Sequence, residues 1–149
     1  MLESKDSINL IGSVIANINN ILLIAIFVAR IYQYPKIEYW LGVLFILSII
    51  PLILIFLKSF EFNRAGLYYV QLILMMSFII LELLLDYLLK IDFRQNRAFV
   101  IPYLTLFYAS LGGMIGVASQ SGKQWTIITV ITFLLMTASS LFMHFKTDS

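Results

Sequence analysis

The sequence predicts an all-α protein, a polytopic transmembrane bundle of about five helices joined by short loops. Of its 149 residues, 61% are apolar and only 12% are charged, and the mean hydropathy is +0.96. Because soluble domains average about 25% charged residues, this composition excludes an ordinary soluble domain, a disordered chain and a nucleic-acid-binding domain. We therefore expect the lipid bilayer as the surrounding medium and no nucleic acid as a partner.

Charged residues fall in short clusters, and the uncharged stretches between them define the predicted helices. Crossing a hydrocarbon core of about 30 Å takes roughly 20 helical residues. The first stretch has an acidic N-terminal flank and no small-residue cleavage pattern after it, so we expect a retained helix rather than a signal peptide. The whole chain, 1–149, is expected to form a single integral membrane domain. The uncharged stretches are 7–29, 39–57, 65–81, 98–122 and 124–145.

Local signals set the helix boundaries. Residues 34–36 form a proline-centred turn between the first two helices. The third helix reaches spanning length only by continuing through Glu82 and Asp86, which the surrounding leucines favour. Asp92 followed three residues later by Gln95 fits a variant of the capping box and predicts the start of the fourth helix. The predicted helices are roughly 9–32, 39–57, 66–89, 93–119 and 125–143.

The distribution of basic residues predicts the orientation in the membrane. Cytoplasmic loops usually carry the excess of lysine and arginine. Four basic residues lie on the side of the N-terminus and six on the side of the C-terminus, so we expect the N-terminus outside and the C-terminus in the cytoplasm. The first group is Lys5, Lys58, Arg64 and Lys123, and the second is Arg30, Lys36, Lys90, Arg94, Arg97 and Lys146.

Glu82 and Asp86 are the strongest candidates for a functional site. They lie four residues apart and therefore share one helix face. A carboxylate inside a membrane costs about 2.5–3.5 kcal/mol and usually marks a function, so this pair could share a proton or hold a cation. Gln71 extends the same face as a polar end. The alternative is structural, with Asp86 pairing with Lys90, whose side chain reaches the headgroups.

The first helix carries a second polar set. Asn17 and Asn20 share a face, and their amides either coordinate a cation or polar ligand or form hydrogen bonds between helices. Gly12 and Ala16 precede Asn20 at intervals of four residues and favour close helix packing. This face is therefore predicted to serve packing, with a ligand role as the alternative.

Gly112 and Gly116 form a GxxxG pattern in the fourth helix. Small residues at this spacing allow two helix backbones to approach closely within lipid. The pattern fits either an internal helix pair or a homodimer interface.

Two functions fit these features, and catalysis is not expected. The chain has no cysteine, a single histidine, no glycine-rich phosphate loop and no metal-binding motif, so we predict no enzyme, no metal and no cofactor. The first function is a non-catalytic accessory or scaffolding subunit, bound to a larger membrane partner. The alternative is a small proton- or cation-coupled carrier or channel-like protein that uses the intramembrane carboxylates, assembled as a homodimer.

Overall fold

The computed structural model describes residues 5–62, 66–89 and 97–148, with side chains described for residues 6–62, 66–89 and 97–143. The chain enters as α1 (Lys5–Ile31), followed by α2 (Pro35–Leu47) and α3 (Ile49–Ser59), which ends in a 3-10 turn at Phe60–Phe62. Next come α4 (Gly66–Glu82) and a π-helical segment at Leu83–Leu88. The last two helices are α5 (Arg97–Ser119) and α6 (Lys123–Asp148).

Five helical stretches in the described residues are long and apolar enough to cross a membrane, which confirms the predicted multi-pass all-α fold. The second of them combines α2, α3 and the 3-10 turn, and the third combines α4 with the π-helical segment. The five spans are Asp6–Ile31, Pro35–Phe62, Gly66–Leu88, Arg97–Ser119 and Lys123–Met143.

Several helix boundaries differ by a few residues from the predicted ones. The second span begins at Pro35 instead of residue 39, because proline has a fixed φ and needs no hydrogen-bonded N–H in the first turn of a helix. The first helix runs from Lys5 to Ile31 and the last from Lys123 to Asp148, so both extend beyond the predicted ranges 9–32 and 125–143. The predicted capping box at residues 92–95 lies outside the described residues.

The second span is divided into α2 and α3 at Ser48. Pro51 lacks the N–H that would bond to the carbonyl of Leu47, and the helix is interrupted at Ser48. The Ser48 hydroxyl donates to the Phe45 carbonyl at 2.6 Å, and the Ser48 N–H donates to the same carbonyl at 3.2 Å. By contrast, Pro102 lies inside the unbroken helix α5.

Helix α1 lies at the centre of the bundle. It packs against α2, α3, α5 and α6, and 56% of its membrane span is buried, compared with at most 28% for the other spans. Large apolar side chains on the outer faces of the helices, α1 included, are exposed, as expected for surfaces that contact lipid rather than water. The fully buried core includes Leu52, Ile55, Leu72, Met75, Phe78, Ile79, Leu111 and Val117.

Candidate functional site

An acidic pocket of about 320 Å³ lies at the end of the bundle where α1 ends, α2 begins and the π-helical segment follows α4. Both carboxylates singled out in the sequence, Glu82 and Asp86, line it. Glu38 is a third carboxylate in the wall, and Arg30 is a basic residue that also lines it. Among the described residues, the pocket is lined by Ile26, Arg30, Pro35, Glu38, Tyr39, Gly42, Glu82, Asp86 and Tyr87.

The tight turn between α1 and α2 brings Arg30 and Glu38 together. The Tyr34 N–H donates to the Ala29 carbonyl at 2.9 Å and the Gln33 N–H donates to the Arg30 carbonyl at 3.2 Å, which is the Schellman pattern for a helix end. Gln33 adopts the left-handed conformation that this motif requires, with φ of 60°. The reversal makes α1 and α2 antiparallel neighbours, so residues on either side of the turn face each other.

The ion pair between Arg30 and Glu38 closes one side of the acidic pocket. The Arg30 guanidinium lies 2.6 Å from Glu38 Oε1, and the two side chains are 26% and 30% exposed. Arg30 also contacts the Met143 sulfur at 3.7 Å, so this guanidinium connects α1 with both α2 and α6. Because most of each side chain is removed from solvent, the pair is screened less than an ion pair on an open surface.

The π-helical segment brings Tyr87 into the pocket with Glu82. In an α-helix, residues five apart point about 140° away from each other. In a π-helix, each N–H bonds to the carbonyl five residues earlier, so residues five apart lie on one side. The bond from the Leu89 N–H to the Leu84 carbonyl, at 2.8 Å, has this spacing. The wider turn therefore places Glu82, Asp86 and Tyr87 together in the pocket wall.

Tyr87 is held in place by α2. Its hydroxyl donates to the Tyr39 carbonyl at 3.1 Å, and the two rings lie 5.3 Å apart between centroids. The Tyr87 hydroxyl occupies the space beside Gly42, where an added Cβ would overlap it. Glycine at position 42 is therefore required for this arrangement of the two aromatic rings.

Glu82 connects the pocket to α5. The Tyr103 hydroxyl donates a hydrogen bond to Glu82 Oε1. The Tyr103 ring in turn packs on Phe78, which is fully buried. Glu82 therefore lies between the acidic pocket and the aromatic core. The predicted partner of Asp86, Lys90, lies outside the described residues.

Asn17 and Asn20 lie outside the acidic pocket, in a hydrogen-bonded row between α1 and α6. The Asn17 amide donates to the Thr129 hydroxyl at 3.0 Å, and the Asn20 amide donates to the Thr132 hydroxyl at 3.0 Å. The Thr132 hydroxyl donates to Asn17 Oδ1 at 3.0 Å. Along α1, Asn20 is about 9 Å from Ile26, the nearest pocket residue of that helix. These amides join helices and do not line the pocket.

Gln71 also lies away from the pocket, where α4 crosses α5. Its side chain occupies the space beside Gly116, where an added Cβ would overlap the amide. Gly112 has open space instead, because a Cβ added there would meet no atom of the described chain within 4 Å. The GxxxG pattern is thus divided between one glycine inside the bundle and one on its outer side.

On α1, a Cβ at Gly12 would lie 2.8 Å from Val117 of α5, and Ala16 is 1% exposed.

Replacing Gly116 with leucine is expected to lower the free energy of unfolding by about 1–3 kcal/mol, because the larger side chain displaces Gln71 from between α4 and α5. Gly112→Leu is the matched control, with the same gain in helix propensity but open space around it. Unfolding with sodium dodecyl sulfate in mixed micelles measures both variants. If the two variants were equally stable, the placement of Gly116 inside the bundle and Gly112 on its outer side would be wrong.

Sequence reasoning missed Glu38, Tyr39, Gly42 and Tyr87 as site residues. A signal was present for Glu38, because Arg30 and Glu38 are opposite charges on the two sides of a short predicted turn. Tyr87 carried no such signal, since α-helical spacing places it on a different face from Glu82. Of the residues that the structure describes, no three His, Cys, Asp or Glu side chains are grouped so that they could hold a metal ion.

The chain matches no protein-family model, and searches of curated proteins and of solved structures find no match to it. Its function is therefore inferred from its own residues and their geometry.

Proposed function

We propose that this protein is a small proton- or cation-coupled carrier or channel-like protein, in which Glu82 and Asp86 handle the cation. The observation that carries this proposal is that both carboxylates line one cavity, together with Glu38. Ionisable residues in membrane spans are costly, and those that face a cavity mark ion and substrate pathways.

The acidic pocket supports entry of a cation from one end of the bundle. It lies where three membrane spans start or finish: α1 ends at Ile31, α2 begins at Pro35 and the third span ends at Leu88. On the inner side of Glu82, Phe78 and Ile79 are fully buried and close the core. Passage to the other side of the membrane therefore requires the helices to rearrange. The π-helical segment and the break at Ser48 are the places where regular helical hydrogen bonding is already interrupted.

The test is the flux of protons or cations into liposomes that contain the purified protein. We expect Glu82→Gln to reduce flux at least about tenfold while the protein stays folded, because the neutral amide cannot carry the proton or balance the cation's charge. Glu61→Gln is the matched control, since Glu61 forms an exposed ion pair with Lys58 outside the pocket. Unchanged flux in a folded Glu82→Gln variant would exclude the proposed role of this carboxylate.

An accessory or scaffolding subunit is the second candidate function. It is favoured by the use of Asn17, Asn20 and Gln71 in contacts between helices, and by the open side of Gly112 on α5. Small residues on an outer helix face permit close approach of another membrane helix. This function predicts a stoichiometric membrane partner after purification in mild detergent, together with liposomes that show no flux. Flux by the purified protein alone would contradict it.

A further inference from the structure

We infer that the acidic pocket binds an organic ammonium cation, held against the packed rings of Tyr39 and Tyr87 and beside the carboxylates of the pocket, rather than a metal ion. This inference rests on the proposed function and names the substrate class of the same site. Three features of the pocket carry it: its volume, the origin of its carboxylates in two spans and its aromatic wall.

The volume of the pocket fits a small organic molecule. At about 320 Å³, it falls at the lower end of the range for small-molecule sites, about 300–1,000 Å³. Protein oxygens that bind a metal ion instead lie within about 2.0–2.6 Å of it. Such ligands enclose the ion closely and leave no empty volume around it. The pocket therefore has room for a cation with several carbon atoms.

The carboxylates of the pocket come from two different spans. Glu38 reaches it from α2, while Glu82 and Asp86 reach it from the third span. Although all three line the same cavity, they do not form a group that could hold a metal ion within the described part of the chain. Carboxylates from two spans suit a cation that is large enough to contact both spans, and a carboxylate accepts a charge-assisted hydrogen bond from an ammonium group.

The two tyrosine rings supply the contact that an organic cation uses and a metal ion does not. The rings of Tyr39 and Tyr87 both line the pocket, with centroids 5.3 Å apart. A cation within about 6 Å of a ring centroid is attracted by the negative face of the ring, and quaternary ammonium groups are recognised in this way. Gly42 permits this arrangement, because any side chain at that position would overlap the Tyr87 hydroxyl. The wall is thus both acidic and aromatic.

The experiment is isothermal titration calorimetry of the purified protein in detergent with tetramethylammonium and with benzylammonium, compared with sodium and calcium chlorides. We expect both ammonium probes to bind and neither metal ion to compete with them. Tyr87→Leu should weaken ammonium binding about five- to thirtyfold, the range of a desolvated cation–π contact. Tyr87→Phe keeps the ring and loses only the hydrogen bond to the Tyr39 carbonyl, so it should bind more tightly than Tyr87→Leu. Tyr34→Leu is the matched control, since this exposed tyrosine of the same hairpin does not line the pocket.

The outcomes separate this inference from the proposed function. Ammonium binding that Tyr87→Leu weakens and Tyr34→Leu leaves intact supports the inference. Binding of sodium or calcium without ammonium binding overturns it, as does binding of none of the four probes, and in both cases the flux assay with Glu82→Gln still decides whether the protein is a carrier. Ammonium binding with no flux in liposomes keeps the ligand class and removes the carrier function. Size-exclusion profiles identical to the wild type establish that the variants are folded.

Discussion

Replacing Gly42 with alanine is expected to weaken ammonium binding at least about tenfold, which corresponds to about 1.4 kcal/mol. The added methyl group would overlap the Tyr87 hydroxyl, so the ring must leave its position beside Tyr39. Because Tyr87 belongs to the π-helical segment that also carries Asp86, the displacement alters both the aromatic and the acidic wall of the pocket. Calorimetric titration with tetramethylammonium measures the effect.

The stability of the Gly42→Ala variant provides a second measurement. Overpacking of this kind costs about 1–3 kcal/mol, and we expect the bundle to remain folded because the contact lies at its end. Gly66→Ala is the control, since a Cβ at that position meets no atom of the described residues within 4 Å. Wild-type binding by the Gly42→Ala variant would show that the packing of Tyr87 on Gly42 does not shape the site.

Replacing Asn17 with alanine is expected to lower the free energy of unfolding by about 2 kcal/mol. Asn17 donates to Thr129, accepts from Thr132 and also donates to the Ser13 carbonyl at 2.8 Å. Hydrogen bonds between membrane helices average about 0.6 kcal/mol and reach about 1.7 kcal/mol. Losing all three bonds of Asn17 should therefore lower the free energy of unfolding by more than losing any one of them. Unfolding with sodium dodecyl sulfate in mixed micelles measures the change, and the affinity for tetramethylammonium should stay unchanged because Asn17 does not line the pocket.

A double-mutant cycle with Thr132→Val tests whether the two residues act together. Since the Thr132 hydroxyl lies between Asn17 and Asn20, the two substitutions should be non-additive by about 0.5 kcal/mol or more. Thr126→Val is the control, because the Thr126 hydroxyl donates locally, to the Gly122 carbonyl at 3.0 Å, at the start of its own helix. Additive effects, or an Asn17→Ala variant as stable as the wild type, would contradict a structural role for this row.

The helices were predictable because the membrane imposes a simple rule on the chain. Backbone polar groups in lipid must be satisfied within the segment, so each long apolar stretch forms a helix. The charged residues then mark where each helix leaves the membrane. The start of the second span was misplaced because Pro35, interpreted as a turn residue, fits the first turn of a helix equally well.

The acidic pocket was only partly predictable. Glu82 and Asp86 stood out because carboxylates are rare and costly in an apolar span. Tyr87 was missed because its place beside Glu82 depends on a π-helical segment, and no residue pattern in the leucine-rich stretch 83–88 specifies one. The packing of Tyr87 against Gly42 and Tyr39 comes from another span and cannot be read from local sequence.

By itself, the sequence determined that the chain crosses the membrane about five times as helices, since that outcome depends on the local balance of apolar and charged residues. The tertiary structure decided which polar residues share a site: Asn17 and Asn20 face α6, Gln71 lies against Gly116, and Glu82 and Asp86 meet Glu38 in a cavity. The physical reason is that the hydrophobic effect is non-directional. It does not specify which helix faces meet, so these are selected by side-chain shape and by hydrogen bonds between distant parts of the chain.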